Sequence, residues 1–417
     1  MSLEWTTGNR LTLLENGEGF YPRAFECIAG AEHEVLLETF ILADDDVGQA
    51  LQRALLQAAS RGATVHVLMD GWGSADLPAS FTQPLLDAGV RLRSFEPAQR
   101  LFGARLNVLR RMHRKLLVVD GRVAFVGGIN YSVEHLVEAG PQGMRDYAVQ
   151  VQGPLVGQIH AFCRAGVEQP QPRRRQWLAR WRQARARRPQ AADDASPDPA
   201  DTGAGGLRAA FVTRDNLGHR NDIERAYRVA LRSARERVLI VNAYFFPGYR
   251  LLRALRKAAR RGVQVDLVLQ GSPDQPWVQR ASEMLYAYLL RAGVCVHLYR
   301  ERPVHAKVAV VDDRWATVGS SNLDPTSLSL NLEANLVVRD AGFARDLRQR
   351  IEQQLLQHSE RVQFPVPGRL ASAWIALRNT LMFHAMRRFS AWATRSTDAA
   401  PQVVTLGTDA RPPDPVR

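Results

Sequence analysis

Two copies of one short motif contain the residues of this chain that are best suited to catalysis. The first copy has His113 and Lys115, then Asp120 and, after the run Gly127-Gly128-Ile129, Asn130. The second copy lies 192 residues further along and repeats the pattern with His305, Lys307, Asp312, Ser320 and Asn322. Imidazoles, ammonium groups and amide donors suit a phosphate that gains negative charge in its transition state. One imidazole can attack phosphorus while the other protonates the leaving alcohol, and the two roles then reverse.

Lysine is rare in this chain, and its placement supports the same chemistry. Only Lys115, Lys257 and Lys307 are lysines among 55 basic residues, so two of the three occupy the same position of the repeated motif. Lysine offers a compact ammonium, whereas arginine offers a broad planar fork. The two motif lysines therefore indicate a compact cation beside an anion. Because they can neutralise a phosphate, we predict that the site uses neither a metal nor a cofactor.

The local sequence predicts how the motif residues are placed. Alternate residues of a strand face the same way, so each histidine shares a face with the lysine two positions later. Asp120 and Asp312 stand where the chain is expected to turn between two strands. We group both aspartates with the catalytic motif, but we expect them to be structural and not to contact substrate. The residues predicted to bind the substrate phosphate are Asn130, Ser320 and Asn322.

An attacking imidazole needs a carboxylate behind it to orient the ring. Asp146 and Glu333 lie at matching places before the next strand of each half, and we predict this role for both. The alternative is that they form ordinary salt bridges. The other histidines show no comparable setting and are expected to be surface or core residues: His33, His66, His135, His160, His219, His297, His358 and His384.

The repeat extends to the elements that must position the motif. Residues 34–42 and 237–245 read as strands, and each is followed by a helix that ends at an Arg-Gly pair. Further strands are predicted at 64–69 and 264–269, each followed by another helix and another strand. This β-α-β-α-β order predicts an α/β fold, written twice, with helices covering each sheet.

Composition divides the chain into five segments. We predict α/β domains at residues 1–168 and 207–361, each with one copy of the motif, joined by a basic, then Ala/Pro/Asp/Gly-rich linker at 169–206. Residues 362–395 are predicted to form a basic amphipathic segment, with a helix over 370–392 that either lies in a membrane interface or packs on the core. The tail at 396–417 is expected to be disordered.

The formal net charge of +13 predicts an anionic partner, which is either nucleic acid or an acidic membrane. Three scattered cysteines indicate a reducing compartment and no disulfide framework. No apolar run reaches the roughly 18 residues that cross a bilayer, and no signal peptide is apparent. We therefore expect a protein in the cytoplasm or on the cytoplasmic face of the membrane. Membrane contact is expected through the basic, apolar loop at 98–112, the arginine-rich stretch at 173–188 or the C-terminal helix.

The paired motifs resemble the HKD motifs of the phospholipase D superfamily from residue 8 to about residue 360. Within it the chain is most similar to the bacterial cardiolipin synthases, in the stretches 8–17, 37–41, 111–115, 127–132 and 134–135. The resemblance implies two α/β domains related by a pseudo-twofold axis, with one site between them. Many cardiolipin synthases carry N-terminal transmembrane helices, which the sequence does not show here, so we expect a peripheral enzyme that binds the bacterial cell membrane through basic and apolar patches.

The implied reaction passes a phosphatidyl group from a donor phospholipid, through a phosphatidyl-histidine, to a hydroxyl of phosphatidylglycerol. The products are cardiolipin and a small alcohol such as glycerol. By analogy with the superfamily, His113 is expected to be the nucleophile and His305 the acid and base. The alternatives are a phospholipase that uses water as acceptor and a phosphodiesterase or nuclease. Nucleic acid is disfavoured, because no stacking aromatics are interleaved with the motifs.

Overall fold

A computed structural model describes residues 3–97, 100–101, 104–105, 110–168, 207–271, 285–363 and 401–407, with only the backbone at 100–101 and 104–105. The predicted linker at 169–206 lies outside the described residues. So do the arginine-rich stretch at 173–188 and the C-terminal helix at 370–392. The described residues form two lobes, each built on an eight-stranded mixed sheet.

The first lobe begins with a strand and ends with a helix. Its elements are β1 (Arg10–Glu15), α1 (Asn16–Ala29), β2 (Glu34–Thr39), α2 (Asp46–Ser60), β3 (Thr64–Asp70), α3 (Ala79–Asp87), β4 (Arg91–Phe95), the small hairpin β5 (Arg100–Leu101) and β6 (Ala104–Arg105), β7 (Leu116–Val119), β8 (Val123–Gly127), β9 (Tyr147–Gln152) and α4 (Pro154–Glu168). Two 3₁₀ turns, Val133–His135 and Val137–Ala139, lie between β8 and β9.

The second lobe repeats this order. Its elements are β10 (Arg208–Arg214), α5 (Asp222–Ser233), β11 (Arg237–Asn242), α6 (Tyr249–Arg260), β12 (Gln264–Gln270), a helical segment at 285–290, β13 (Cys295–Tyr299), β14 (Lys307–Val311), β15 (Trp315–Gly319), α7 (Pro325–Ser329), β16 (Glu333–Arg339), α8 (Ala341–Ile351), a π-helical turn (Glu352–Leu356) and β17 (Ser359–Arg361). A last strand, β18 (Val403–Thr405), returns to the first lobe.

Seven strands of each sheet have the same topology, and the eighth is an edge strand that comes from residues 403–405 in the first lobe and from residues 359–361 in the second. The strand order is β1-β9-β8-β7-β2-β3-β4-β18 in the first lobe and β10-β16-β15-β14-β11-β12-β13-β17 in the second. In each sheet the βαβαβ strands are parallel, while the motif hairpin and its neighbours are antiparallel. The predicted duplicated α/β fold is therefore confirmed.

Local sequence explains the helices that follow β2 and β11. The carboxylate of Asp45 accepts hydrogen bonds from the backbone of Val47 and Gly48, which satisfies free N–H groups at the start of α2. Both α2 and α6 end at an Arg-Gly pair, where Gly62 and Gly262 have φ of 91° and 90°. Only glycine adopts this left-handed conformation without steric cost. The predicted helix ends are thus confirmed.

One hydrophobic core joins the lobes. Apolar residues on the inner faces of the two sheets, such as Val126 and Val149 in the first and Val318 and Leu336 in the second, belong to one buried cluster. Helices α4 and α8 contribute residues to the same cluster, including Ile159 from α4 and Leu347 from α8. Burial of this apolar surface holds the lobes together.

The chain ends cross between lobes, which corrects two predicted boundaries. The backbone of Thr6 exchanges two hydrogen bonds with Ala209, so the first described residues lie on the second lobe. Residues 403–405 pair antiparallel with β4, so the expectation of a disordered tail from 396 is wrong for 401–407. The β-branched residues Val403, Val404 and Thr405 suit a strand, and β4 otherwise presents an unpaired edge.

Within the described part of the chain, no helix combines the length and the apolar character that crossing a membrane requires.

Candidate active site

Backbone bridges between the lobes bring the two motifs together. Met112, just before the first histidine, forms a parallel bridge with Leu332, and the N–H of His113 donates to the Leu332 carbonyl at 2.9 Å. The second motif repeats this arrangement, because Val304 bridges Arg145 and the N–H of His305 donates to the Arg145 carbonyl at 2.9 Å. Each motif histidine therefore lies beside the residue that precedes the opposite lobe's carboxylate.

The first imidazole is oriented by the second lobe. Nδ1 of His113 lies 3.0 Å from a carboxylate oxygen of Glu333 and 3.1 Å from the carbonyl of Ser320. Burial lowers the pKa of His113, and the Glu333 carboxylate opposes this effect. Burial alone would raise the pKa of Glu333, but its contact with His113 and the positive charge of Lys115 outweigh burial and hold this pKa below its ordinary value. The ionised carboxylate keeps the proton of His113 on Nδ1, which leaves Nε2 free to attack.

The second imidazole is oriented by the first lobe. Nδ1 of His305 lies 2.7 Å from Oδ2 of Asp146, which has no solvent exposure. Burial and the nearby ammonium groups of Lys307 and Lys115 hold the pKa of His305 well below its ordinary value. Burial raises the pKa of Asp146, against the opposing effect of Lys307. The predicted orienting carboxylates are thus both in contact with imidazoles, and each serves the histidine of the other lobe.

The two rings face one cleft. Their centroids are 6.3 Å apart and their planes are inclined by 66°. Phe40 packs against His113 in a T-shaped arrangement with ring centroids 5.0 Å apart, and only 11% of the His113 side chain is exposed. Both imidazoles are therefore within reach of a single phosphorus atom in a largely water-free setting.

The two motif lysines are buried beside the rings. The ammonium of Lys115 donates to the carbonyl of His113 at 2.8 Å, and the ammonium of Lys307 donates to the carbonyl of His305. Burial lowers the pKa of Lys115 to about 7 and that of Lys307 to about 8. These ammonium groups are costly to keep without an anion, so the free site favours an anionic ligand.

Asp120 and Asp312 lie at the far ends of their strands from the catalytic histidines. The Asp120 carboxylate accepts hydrogen bonds from the backbone N–H groups of residues 32–34, and Asp312 does the same for 235–237. Both have positive φ, 52° and 51° respectively, in the turns that close the motif hairpins. Grouping them with the catalytic residues is therefore corrected: they lock the hairpin to β2 or β11.

The serine of the second motif also has a different role from the predicted one. Its hydroxyl contacts a carboxylate oxygen of Glu333 at 2.5 Å and accepts the N–H of Ala334, so Ser320 supports the orienting carboxylate and is not free to bind phosphate. The first lobe has Gly128 at this position, where a Cβ would lie 2.4 Å from Oδ1 of Asp146. The Asp146 carboxylate lies closer to the backbone of residue 128 than a side chain allows, so this position must be glycine.

Asn130 and Asn322 lie in the site, but their amides have different surroundings. Oδ1 of Asn130 accepts the N–H of Ile41 at 3.2 Å, and Nδ2 lies 3.3 Å from Nε2 of His135. Asn322 is 5% exposed, and its buried Oδ1 has no hydrogen-bond partner among the described residues. The phosphate-binding role of the two amides remains a prediction, and Asn322 is the less engaged of the two.

His135 is the site residue that the sequence reasoning missed. Its ring centroid is 5.2 Å from that of His305, and Nδ1 lies 3.9 Å from Oδ2 of Asp146. Because Ile41 fixes the orientation of the Asn130 amide, an N–H of that amide faces Nε2 of His135, which must accept. His135 is therefore neutral with its proton on Nδ1, and burial lowers its pKa to about 3. The available signal was the family resemblance, because residues 134–135 are among the stretches that carry it.

His135, Asp146 and His305 place three potential metal-ligand atoms within 4.8 Å of one another. Two of these groups already bond to each other, since Nδ1 of His305 donates to Asp146. The positive charges of Lys307 and Lys115 also lower the pKa of both histidines, which disfavours a cation at this point. Absence of a metal from the reaction stays a prediction.

Comparison with known proteins identifies the family. The profile described as "Cardiolipin synthase, PLD-like domain" matches residues 25–151 and 227–355, one match in each lobe. Cardiolipin synthase B of Salmonella typhi is 48% identical over 407 residues, which cover 97% of this chain and 94% of that protein. Cardiolipin synthase A of Pseudomonas fluorescens is 35% identical over 346 residues, which cover 82% of this chain and 68% of that protein.

A solved structure shares the fold. The phosphatidylserine synthase of Haemophilus influenzae Rd KW20 superposes with a TM-score of 0.63 at 16% identity, covering 89% of this chain and 94% of that one. The predicted resemblance is confirmed by the full-length identity and by a match in each lobe. This chain belongs to the cardiolipin synthase family of proteins with two PLD-like domains.

Proposed function

We propose that this protein is a phosphatidyltransferase that makes cardiolipin from phosphatidylglycerol and a donor phospholipid. The observation that carries the proposal is the pair of imidazoles 6.3 Å apart in one cleft, each held by a carboxylate of the opposite lobe. Such a pair can divide the exchange of one alcohol for another on phosphorus into two displacement steps. The full-length likeness to cardiolipin synthases supports lipid alcohols as the exchanging groups.

In the first step Nε2 of His113 attacks the phosphorus of the donor lipid. A P–N bond forms, the P–O bond to the leaving alcohol breaks, and His305 gives this alcohol its proton. Lys115 and Lys307 stabilise the charge that develops on the non-bridging oxygens. His305 must carry a proton for this step. Burial and the ammonium groups of Lys307 and Lys115 hold its pKa well below its ordinary value in the free site, and a bound phosphate offsets the effect of the two ammonium groups.

In the second step a new P–O bond forms and the P–N bond breaks. The hydroxyl of phosphatidylglycerol gives its proton to His305, its oxygen attacks phosphorus, and the P–N bond to His113 breaks. The product is cardiolipin, and both histidines return to their starting protonation states. When the donor is also phosphatidylglycerol, the alcohol released in the first step is glycerol. Exclusion of water by the buried site favours the lipid hydroxyl as acceptor.

We further propose that the protein works as a peripheral enzyme on the cytoplasmic face of an acidic membrane. The net charge of +13 supports attraction to such a surface, since each basic residue near it contributes about 1 kcal/mol.

The test is a product assay on phosphatidylglycerol vesicles, with lipids separated and glycerol measured in parallel. Cardiolipin and glycerol in equal amounts are expected from the full chain, and none from the His113→Ala variant. Phosphatidic acid in place of cardiolipin would show that water is the acceptor and would overturn the synthase assignment.

A further inference from the structure

A second basic site lies in the second lobe, outside the catalytic cleft. Helices α5 and α6 and the residues before α6 enclose a cavity of about 680 Å³, here called the α5–α6 pocket. Its charged lining consists of one acidic side chain and five basic ones: Glu224, Arg228, Arg232, Arg250, Arg253 and Lys257. Arg250, Arg253 and Lys257 are exposed, so their charges face the solvent beside the opening.

The pocket opens at the same end of the sheet as the active site. Strand β11 ends at Asn242, which pairs with Lys307 of the catalytic motif. Oδ1 of Asn242 accepts the N–H of Leu323, the residue after Asn322, and the N–H of Phe246 donates to the Leu323 carbonyl at 2.8 Å. Phe246 lines the pocket. The pocket lining is therefore connected by hydrogen bonds through Leu323 to the strand ends that carry the second motif.

The duplicated fold provides an internal comparison for this charge. Helix α6 carries Arg250, Arg253, Arg256, Lys257 and Arg260 and no acidic residue. Helix α2 holds the same place in the first lobe and carries one acid, Asp46, and one base, Arg53. Helix α2 packs on the first sheet as α6 packs on the second, and it has almost no net charge. The fold therefore does not require the five positive charges of α6. Five like charges on 12 residues repel one another, which indicates an external anion.

The rim of the pocket favours a lipid over a nucleic acid. Tyr249 is 45% exposed, which makes it one of three exposed large hydrophobic residues in the described part of the chain. The guanidinium of Arg253 lies over its ring at 5.1 Å. An amphipathic tyrosine beside exposed cations is typical of a membrane–water interface. A strand of nucleic acid would call for a succession of stacking rings along a groove, and Tyr249 is the one exposed aromatic residue of this described pocket lining.

We propose that the α5–α6 pocket binds the phosphate headgroup of an acidic phospholipid in the bilayer and thereby docks the enzyme on its membrane. This inference rests on the proposed function, since it assigns the docking surface of a lipid enzyme. Docking through this pocket turns the catalytic end of the second sheet toward the source of substrate. The lipid held here is not the one that reacts, because the pocket lacks the two imidazoles.

The experiment compares two triple variants of the full chain that lose the same charge. Arg250→Gln, Arg253→Gln and Lys257→Gln remove three cations from the pocket. Arg23→Gln, Arg53→Gln and Arg61→Gln remove three exposed arginines from the first lobe, one on α1, one on α2 and one just after α2. Binding is measured by sedimentation with vesicles of phosphatidylglycerol and phosphatidylcholine, and with vesicles of phosphatidylcholine alone. Turnover is measured on a short-chain phosphatidylglycerol below its micelle concentration.

Each basic residue near an acidic bilayer strengthens binding about fivefold, so the pocket variant should bind acidic vesicles about 100-fold more weakly. The first-lobe variant should bind within about threefold of the unmodified protein, and both variants should keep their turnover of the soluble lipid. Equal vesicle binding by the two variants would overturn the proposal. So would a pocket variant that loses binding to single-stranded DNA while it keeps binding to vesicles.

The two failures are distinguishable. If the proposed function is wrong, the unmodified protein makes no cardiolipin in these vesicles. If the docking inference is wrong, the pocket variant sediments with them as well as the first-lobe variant does, whatever product is made.

Discussion

Replacement of Asp146 by asparagine tests the crossed arrangement of carboxylates directly. The carboxylate of Asp146 lies 2.7 Å from Nδ1 of His305, although 159 residues separate the two in sequence. Asparagine has nearly the same shape, so the substitution removes the charge and not the packing. It weakens the hydrogen bond that orients His305, and it frees that ring to adopt the wrong tautomer.

The expected loss follows from the burial of this pair. A hydrogen bond to a charged group contributes about 1.5–3 kcal/mol, which corresponds to about 10- to 150-fold in kcat. When the equivalent substitution in catalytic triads also stabilises the wrong tautomer, the loss reaches about 10⁴. We therefore expect kcat to fall by at least tenfold. The loss should appear in kcat and not only in KM, because the contact matters most when His305 carries the transferred proton.

Stability should respond differently from activity. Burial raises the pKa of Asp146, so its ionised form is disfavoured in the folded protein. Such a group stabilises the fold below the ordinary pKa of 3.8, and this contribution is lost as the pH rises through the raised value. At pH 7 a neutral asparagine should therefore not lower the melting temperature.

The assay measures kcat by cardiolipin formation and the melting temperature by circular dichroism, at pH 7. Glu333→Gln is the matched variant, because it removes the carboxylate of the other pair, 3.0 Å from His113. The pKa of Glu333 is lowered, so its contribution to stability is present above its ordinary pKa and is lost as the pH falls. This variant should lose both activity and stability. An Asp146→Asn enzyme with kcat within threefold of the unmodified protein would refute the role assigned to the carboxylate.

Four further outcomes are expected. The pKa of Lys115 is about 7 and that of Lys307 about 8, so kcat/KM should fall as the pH rises through this range. The fall in kcat should occur at a higher pH than the fall in kcat/KM, because bound phosphate keeps both lysines protonated. A flat kcat/KM profile from pH 6 to 9 would contradict this prediction. Asp120→Asn should lower the free energy of unfolding by about 1–3 kcal/mol. The kcat of the folded fraction should be retained, because the carboxylate accepts hydrogen bonds from backbone N–H groups and contacts no substrate. Urea titration measures the first effect and the activity assay the second. His135→Ala should lower kcat by about tenfold or more and shift the pH profile of kcat. His135→Gln keeps a polar group beside Asp146 and should recover part of the rate. Equal rates for the two variants would exclude a role for the contact between His135 and Asp146. Cardiolipin formation should be unchanged after dialysis against EDTA; loss of activity that added metal restores would assign a metal to His135, Asp146 and His305.

Much of the fold and the central chemistry could be predicted from local sequence. Alternation on strands puts His113 with Lys115, and Arg-Gly pairs end the helices, because these features depend on neighbours within a few residues. The motif residues repeat at a spacing of 192, the flanking strands and helices repeat with them, and seven strands of each sheet follow the same order. The turn positions of Asp120 and Asp312 were also readable, since positive φ at a hairpin is a local property.

Tertiary structure alone decided which groups meet in the cleft. Glu333 orients His113 across 220 residues because Met112 and Leu332 form a bridge between lobes, and no local pattern reveals such a bridge. The same holds for the hydrogen bond of Ser320 to Glu333 and for the contact of His135 with His305. Both contacts depend on the conformation of the loops at the lobe interface. The sequence by itself determined the reactive groups and the duplicated frame, because these are set by residue type and short-range geometry. The packing of one lobe on the other decided the pairing of those groups, because that pairing arises from contacts between segments far apart in the chain.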